Sequence, residues 1–249
     1  MTPSNYHTHT RFCDGKNAPE EIVREAIRLG CPELGFSGHS YTFFDESYCM
    51  SQAGTQEYIA VIRALQEQYG DKIKILLGIE QDYYSAMPTD EYDYVIGSVH
   101  YVKKDGCYLP VDESKEIQLE NVRKFYNGDF YGFIEDYYEV VADLYRKTRC
   151  QIVGHFDLIK KFNGLYDLFD PQHPRYQAAA NKALAALMSS PVVLEVNTGS
   201  IARGYLQEPY PSGDILTQWV KTKKSVIFSS DCHDTEQLLF GYDIYKNYI

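Results

Sequence analysis

The chain has 249 residues, with 24 Lys and Arg against 35 Asp and Glu, and a formal charge of −11. That length is enough for one substantial core, and α/β barrels run to this size as one domain. The acidic balance excludes a nucleic-acid binder that works by charge alone, because phosphate contacts need clustered Lys and Arg. It leaves phosphate substrates open, since bound cations invert a local field. No apolar run of about 18 residues occurs, so no membrane-spanning helix is expected. The N-terminus lacks a basic stretch followed by an apolar one, and Cys13, Cys31, Cys49, Cys107, Cys150 and Cys232 are scattered without a CxxC pair. Reduced thiols and a cytoplasmic protein are the expectation.

Along the chain, short apolar runs alternate with stretches of helical spacing, the pattern of βα units and a parallel sheet. The first expected strand, 4–9, ends in His7-Thr8-His9. Helix 19–29 follows, with Ile22, Val23, Ala26 and Ile27 on one stripe, Asn17 as its cap and Gly30 as its stop. Strand 33–37, helix 55–69, strand 73–80 and strand 92–100 come next. Helices 114–126 and 130–147 fill the gap before strand 151–155. Helix 176–188, strand 192–197, helix 213–221 and strand 225–231 complete the order. Several strands are apolar on both faces, as strands covered on both sides are. Seven such strands with intervening helices fit a closed or nearly closed barrel. A doubly wound open sheet would be favoured by a Gly-rich phosphate loop after the first strand, and none is present.

Six of the seven histidines, His7, His9, His39, His100, His155 and His233, fall at or just after an expected strand end. Glu80 ends the third strand and Asp231 the seventh. In an α/β barrel those ends make the active site. Residues i and i+2 of a strand share a side, so His7 and His9 can grip one cation, and Asp231 and His233 repeat the spacing. Imidazole and carboxylate suit Zn, Fe and Mn, and one ion takes roughly four to six ligands. With Asp14 added, the set suits roughly two or three ions sharing a carboxylate. A single-iron oxygenase would need only two His and one carboxylate. Paired divalent ions make hydroxide available near neutral pH and stabilise displacement at phosphorus, among the slowest of uncatalysed reactions. His173, in the polar segment 170–175, reads as an ordinary structural histidine.

In the motifs His7-Thr8-His9-Thr10, Ser37-Gly38-His39-Ser40, Gly78-Ile79-Glu80, Gly97-Ser98-Val99-His100, Gly154-His155-Phe156-Asp157 and Ser230-Asp231-Cys232-His233, the chain resembles the PHP (polymerase and histidinol phosphatase) superfamily. The resemblance covers essentially the whole chain. In size and in segments 154–161 and 194–203 it looks most like the stand-alone bacterial histidinol-phosphatase branch. It implies a distorted seven-stranded (β/α)7 TIM-like barrel, one domain over 1–249, with a trinuclear centre of Zn, Fe or Mn. One ion would be held by His7, His9, Glu80 and Asp231, a second by Glu80, His100 and His155, and a third by Asp14, His39 and His233. Asp14 stands where many members carry histidine, an exchange that favours a harder ion such as Fe or Mn over Zn. The implied reaction is hydrolysis of L-histidinol phosphate, in histidine biosynthesis, by a metal-bridging hydroxide attacking phosphorus. Glu80, Asp231 and Arg203 are the expected catalytic set, with Arg203 the phosphate clamp, because guanidinium matches phosphate oxygens bidentately. Lys160 and Lys161 would add charge, and Arg11 stands further out. The proton donor is left open between a metal-bound water and Asp231. A cationic substrate fits the 23 tyrosines, among them Tyr83-Tyr84 and Tyr137-Tyr138, and the acidic Asp45, Glu46 and Asp82.

Competing readings keep the barrel and change the substrate to a nucleotide or a phosphodiester, or remove turnover altogether in a metal-binding accessory subunit. The filled metal positions speak against the latter. An amidohydrolase would also begin with HxH, but would carry a lysine at a middle strand end, and none of the seven ends here is lysine.

Overall fold

The computed structural model describes residues 3–211 and 213–246. The chain runs β1 (Ser4–Asn5), α1 (Pro19–Arg28), β2 (Glu33–Phe36), α2 (Gln52–Tyr69), β3 (Lys74–Asp82), β4 (Tyr94–Ser98), β5 (Tyr101–Lys104), β6 (Cys107–Pro110), α3 (Lys115–Phe125), α4 (Phe130–Thr148), β7 (Ile152–Val153), α5 (Asn163–Tyr166), α6 (Pro174–Met188), β8 (Val193–Asn197), α7 (Gly199–Ala202), α8 (Gly213–Lys221), β9 (Val226–Ser229) and α9 (Tyr242–Tyr245). Seven strands form one parallel sheet in the order β1-β2-β3-β4-β7-β8-β9. Past their ends the first and last strands meet: His9 N–H donates to Cys232 O at 3.0 Å and Cys232 N–H to His7 O at 3.3 Å. The sheet thus curls into a nearly closed barrel with helices outside, as the strand alternation implied.

The ladders are shorter than the apolar runs. β1 and β7 hold two residues each. Residues 7–9 and 154–155 lie past the ladders, where His7, His9 and His155 join the cluster at the barrel mouth. β3 runs two residues beyond Glu80, since Gln81 and Asp82 still pair with Gly97 and Ser98. Helix α1 is capped differently from expectation. Glu21 Oε2 accepts the Ala18 N–H at 2.7 Å, while Asn17 Oδ1 accepts the Thr235 N–H at 3.1 Å and ties the helix entry to the last loop. Gly30 does stop it, with φ of 75°. Helix α2 starts three residues earlier than read, at Gln52, capped by Ser51, whose Oγ accepts the Gly54 N–H. The hairpin β5–β6 was not anticipated. Its turn, Asp105-Gly106 with φ of 49° and 81°, is the Asp-Gly signal for a tight hairpin.

Apolar burial lies below the mouth and between barrel and helices: Ile22, Val23 and Ala26 of α1, Tyr58 and Ile62 of α2, Val141 and Leu144 of α4, and Trp219 of α8 are all buried. Tyr94 threads the barrel, its OH donating to Phe36 O at 3.0 Å and also to Tyr6 O. Gly35 and Gly78 make room for it, since a Cβ would fall 2.3 Å from its hydroxyl oxygen and 2.2 Å from its ring, respectively. The six cysteines are unpaired. No helix among the described residues is long and apolar enough to cross a membrane.

Candidate metal centre

Six strand ends deliver side chains to one point at the mouth. Glu80 occupies its middle and is essentially unexposed. Its Oε2 lies 3.2 Å from His7 Nε2, 3.5 Å from His9 Nε2 and 2.9 Å from His39 Nδ1. Its Oε1 lies 2.8 Å from His155 Nε2 and 3.4 Å from His100 Nε2. One carboxylate therefore faces two sets of imidazoles, one with each oxygen. Asp231 Oδ1 sits 3.2 Å from His9 Nε2 and 3.7 Å from His7 Nε2. Asp231 adopts φ of 51°, a left-handed conformation that Asp tolerates better than most residues and that lets its two oxygens serve different partners. Asp14, a third exposed on its side chain, places Oδ2 3.3 Å from His233 Nε2 and Oδ1 3.7 Å from His39 Nε2.

The electrostatics are those of a site short of positive charge. Burial pushes Glu80 and Asp231 up, but the imidazoles, and Arg203 beside Asp231, hold both well below the usual carboxylate range. Burial alone would lower His7, yet Glu195, Glu80 and Asp231 raise it well above the usual imidazole value. His9 goes the other way, down to about 3, through burial and its neighbours His233 and His39. A neutral imidazole with a free lone pair is what a metal requires.

A buried polar atom without a partner costs free energy. His7 Nε2, His9 Nε2 and Glu80 Oε2 are buried, lack hydrogen-bond partners and converge on one point. Around that point, donor atoms fall within 4.8 Å of one another in four overlapping groups: His9, Asp14, His39 and His233; His7, Glu80 and His155; His7, His9 and Asp231; and His39, Glu80 and His100. All nine residues expected as ligands are there. Nitrogen and carboxylate oxygen in these groups fit divalent transition metals.

A cavity of about 380 Å³ opens from this cluster. Arg203 lines it, with Nη2 3.1 Å from Asp231 Oδ2 and Nη1 donating to Asp231 O at 3.0 Å. Lys160, expected against the substrate, does not line it. It turns inward to Asp157 Oδ2 at 3.2 Å, because this buried carboxylate on the same turn needs a counter-charge. Lys161 lines the cavity instead, held by Asp112 O at 2.7 Å and Oδ2 at 3.0 Å. Arg11 is exposed and lies outside the lining. Asp231 Oδ2 is engaged by Arg203, whose charge helps hold the carboxyl below its usual range.

Of Asp45, Glu46 and Asp82, the acidic residues read as facing a cationic substrate, only Asp45 reaches the cavity, its Oδ2 accepting the Tyr101 OH at 2.7 Å. Glu46 accepts from the Tyr41 OH, and Asp82 lies behind His100, its Oδ2 3.3 Å from Nδ1. Tyr137 and Tyr138 are core residues, and Tyr83 bonds Asp143 away from the site. The aromatic wall is made by Tyr48 and Tyr101, the Tyr48 ring standing edge-on 4.9 Å from His39. His173 caps α6 and stacks on Tyr131, clear of the centre. Sequence reasoning missed Tyr48, Tyr101, Asp112 and, above all, Glu195. This last residue is fully buried, and its Oε2 is 3.0 Å from His7 Nδ1. A signal was available: it is the one charge in the otherwise apolar stretch 192–196.

Comparison with known proteins agrees with this geometry. A model of the PHP domain family matches residues 5–199. The histidinol-phosphatase of Bacillus subtilis is 27% identical, over 98% of this chain and 98% of its own. A Listeria monocytogenes structure, provisionally assigned as a histidinol phosphatase, superposes with a TM-score of 0.84 at 22% identity, over 98% of this chain and 100% of that one. The Lactococcus lactis histidinol phosphate phosphatase, solved with zinc, L-histidinol and phosphate, superposes with a TM-score of 0.72 at 21% identity, over 98% of this chain and 93% of that one. The two structures establish the fold.

Proposed function

The chain belongs to the PHP domain family, and on that premise we propose that it is a metal-dependent phosphomonoesterase, acting as one unit over residues 1–249, that hydrolyses L-histidinol phosphate to L-histidinol and phosphate. The observation that carries the reading is Glu80, with one oxygen towards His7, His9 and His39 and the other towards His100 and His155. His7, His9, Glu80 and Asp231 would hold one ion, Glu80, His100 and His155 a second, and Asp14, His39 and His233 a third, as zinc, iron or manganese. Such ions supply positive charge to phosphate oxygens and a nucleophilic hydroxide near neutral pH.

The chain's own residues do the rest. Arg203 and Lys161 place cations on the cavity wall where a phosphoryl group enters. Asp45, Tyr48 and Tyr101 form another part of that wall, a carboxylate with two aromatic rings. That chemistry suits a leaving alcohol that carries an ammonium and an imidazole. The relatives named above for histidinol phosphate support the substrate, and the L. lactis protein binds the corresponding alcohol, phosphate and zinc. Water adds to phosphorus as the P–O bond to the alcohol breaks; one of its protons stays with the phosphate and the other is passed, through solvent, to the departing alkoxide.

The test is kcat/KM for histidinol phosphate against p-nitrophenyl phosphate, nucleoside monophosphates and a phosphodiester, on protein of measured metal content. A preference for histidinol phosphate by orders of magnitude is expected. A nucleotide preference, or a flat profile, overturns the substrate.

A further inference from the structure

Glu195 is buried under the centre and touches three things. Its Oε1 accepts the His155 backbone N–H at 2.6 Å and Asn197 Nδ2 at 2.8 Å. Its Oε2 faces His7 Nδ1 at 3.0 Å, and Oε1 lies 3.3 Å from the same nitrogen. The other nitrogen of that ring, Nε2, has no hydrogen-bond partner and points at the Glu80 and Asp231 oxygens, 3.2 and 3.7 Å away. Asn197 Nδ2 also lies 3.3 Å from Asp231 Oδ2, so the end of β8 braces residues on the ends of the first, fifth and last barrel strands at once.

We propose that Glu195 is a positioning residue of the metal centre: by accepting from His7 Nδ1 it holds this imidazole in the tautomer whose Nε2 lone pair faces the ions. An imidazole has one proton to place when neutral, and the partner of one nitrogen decides the state of the other. A carboxylate behind a ligating histidine fixes its orientation and raises its basicity. Of the other histidines in the cluster, only His100 has a comparable arrangement, with Asp82 behind Nδ1. His233 Nδ1 meets a backbone carbonyl, Asp231 O, at 3.0 Å.

The geometry sharpens the test. Both groups at Oε1 are donors, so in Glu195→Gln the amide oxygen must stay there. The amide nitrogen then takes the 3.0 Å position opposite His7 Nδ1, where two donors face each other; the Nδ1 proton is left only the longer 3.3 Å approach to an amide oxygen already holding two donors, and the ring relieves this by moving its proton to Nε2, straight at the centre. The side chain keeps its shape while the ligand is switched off. The inference rests on His7 being a metal ligand.

The experiment is zinc affinity of the full-length chain, by competition with a chromophoric chelator, for wild type and Glu195→Gln, with circular dichroism to establish folding. A loss of about 10- to 100-fold is expected, the usual effect of removing such a partner. Nitrogen-15 spectra of the zinc-loaded wild type supply a second readout that needs no variant: His7 must carry its proton on Nδ1 with Nε2 bound. Unchanged zinc affinity in a folded Glu195→Gln protein, or zinc on His7 Nδ1, overturns the proposal. A wild type that takes up no zinc, iron or manganese overturns the metal reading, and this one with it.

Discussion

Arg203→Lys separates two roles that the structure gives to one guanidinium. Two bonds, at 3.0 and 3.1 Å, run to the backbone and carboxylate oxygens of Asp231, and Nη1 is also 3.4 Å from His233 Nδ1. A guanidinium has five N–H donors in a fixed fork, so donors remain for the cavity that Arg203 lines. Lysine keeps the charge and loses the fork. If the spare donors bind phosphoryl oxygens as charge builds, their loss costs about 3 kcal/mol, or roughly 10²-fold in kcat/KM. Inorganic phosphate, which binds without a transition state, should lose about tenfold in affinity, or ~1.4 kcal/mol. The assay is steady-state hydrolysis of histidinol phosphate with phosphate as product inhibitor, on protein whose metal content is measured in the same sample. That control matters because Asp231 touches both Arg203 and the centre, and metal loss would mimic clamp loss. A fully metal-loaded Arg203→Lys enzyme with wild-type kcat and wild-type phosphate inhibition would refute the clamp and leave Arg203 as a brace for Asp231.

Asp45→Asn should raise KM for histidinol phosphate about tenfold, ~1.4 kcal/mol, and leave p-nitrophenyl phosphate unaffected, because only the first leaving group is cationic; a parallel rise for both substrates would contradict it. Chelation should lower the melting temperature, since His7 Nε2, His9 Nε2 and Glu80 Oε2 are left buried without partners, at about 1–3 kcal/mol each; calorimetry with and without chelator reads it. Gly78→Ala puts a Cβ 2.2 Å from Tyr94 and 2.7 Å from Phe36 O, so denaturant unfolding should show a loss of about 1–3 kcal/mol. Asp93 accepts from the Leu77 N–H, Arg63 and Gln66, and although burial raises its carboxyl, these partners hold it below its ordinary value. A value lowered by folding gives stability that is full above about 3.9, the unfolded value, and lost as pH falls through the folded one. Acid titration of stability should therefore be flatter in Asp93→Asn than in wild type, and equal slopes would contradict the assignment.

The barrel was legible because its strands are apolar on both faces and its helices amphipathic, two periods that cannot be confused over ten or more residues. Strand ends were less so. The run 4–9 reads as one strand, yet only Ser4–Asn5 keeps a ladder. Hydropathy records burial, and His7 and His9 are buried but reach only an isolated bridge to Cys232 rather than a continuing ladder. The hairpin β5–β6 escaped notice because its strands are four residues each and half exposed, too short for a period to register. Its Asp105-Gly106 turn was the better clue.

In the centre, legibility followed chemistry rather than position. Imidazoles gather at strand ends for few reasons other than metals, so His7, His9, His39, His100, His155 and His233 declare themselves even when no contact is known. Cations and carboxylates have many uses, and their sequence placement misleads. Lys160 and Lys161 are neighbours, yet on this tight turn one points inward to Asp157 and the other lines the cavity with Asp112. Asp45 and Glu46 divide in the same way, one to the cavity and one to Tyr41. Glu195 was hidden for the opposite reason. Its charge is entirely consumed by His7, the His155 N–H and Asn197, so nothing about it advertises a ligand. A buried carboxylate in an apolar strand is expensive unless it is paired. That expense is the argument for looking, in such a strand, for the histidine it serves.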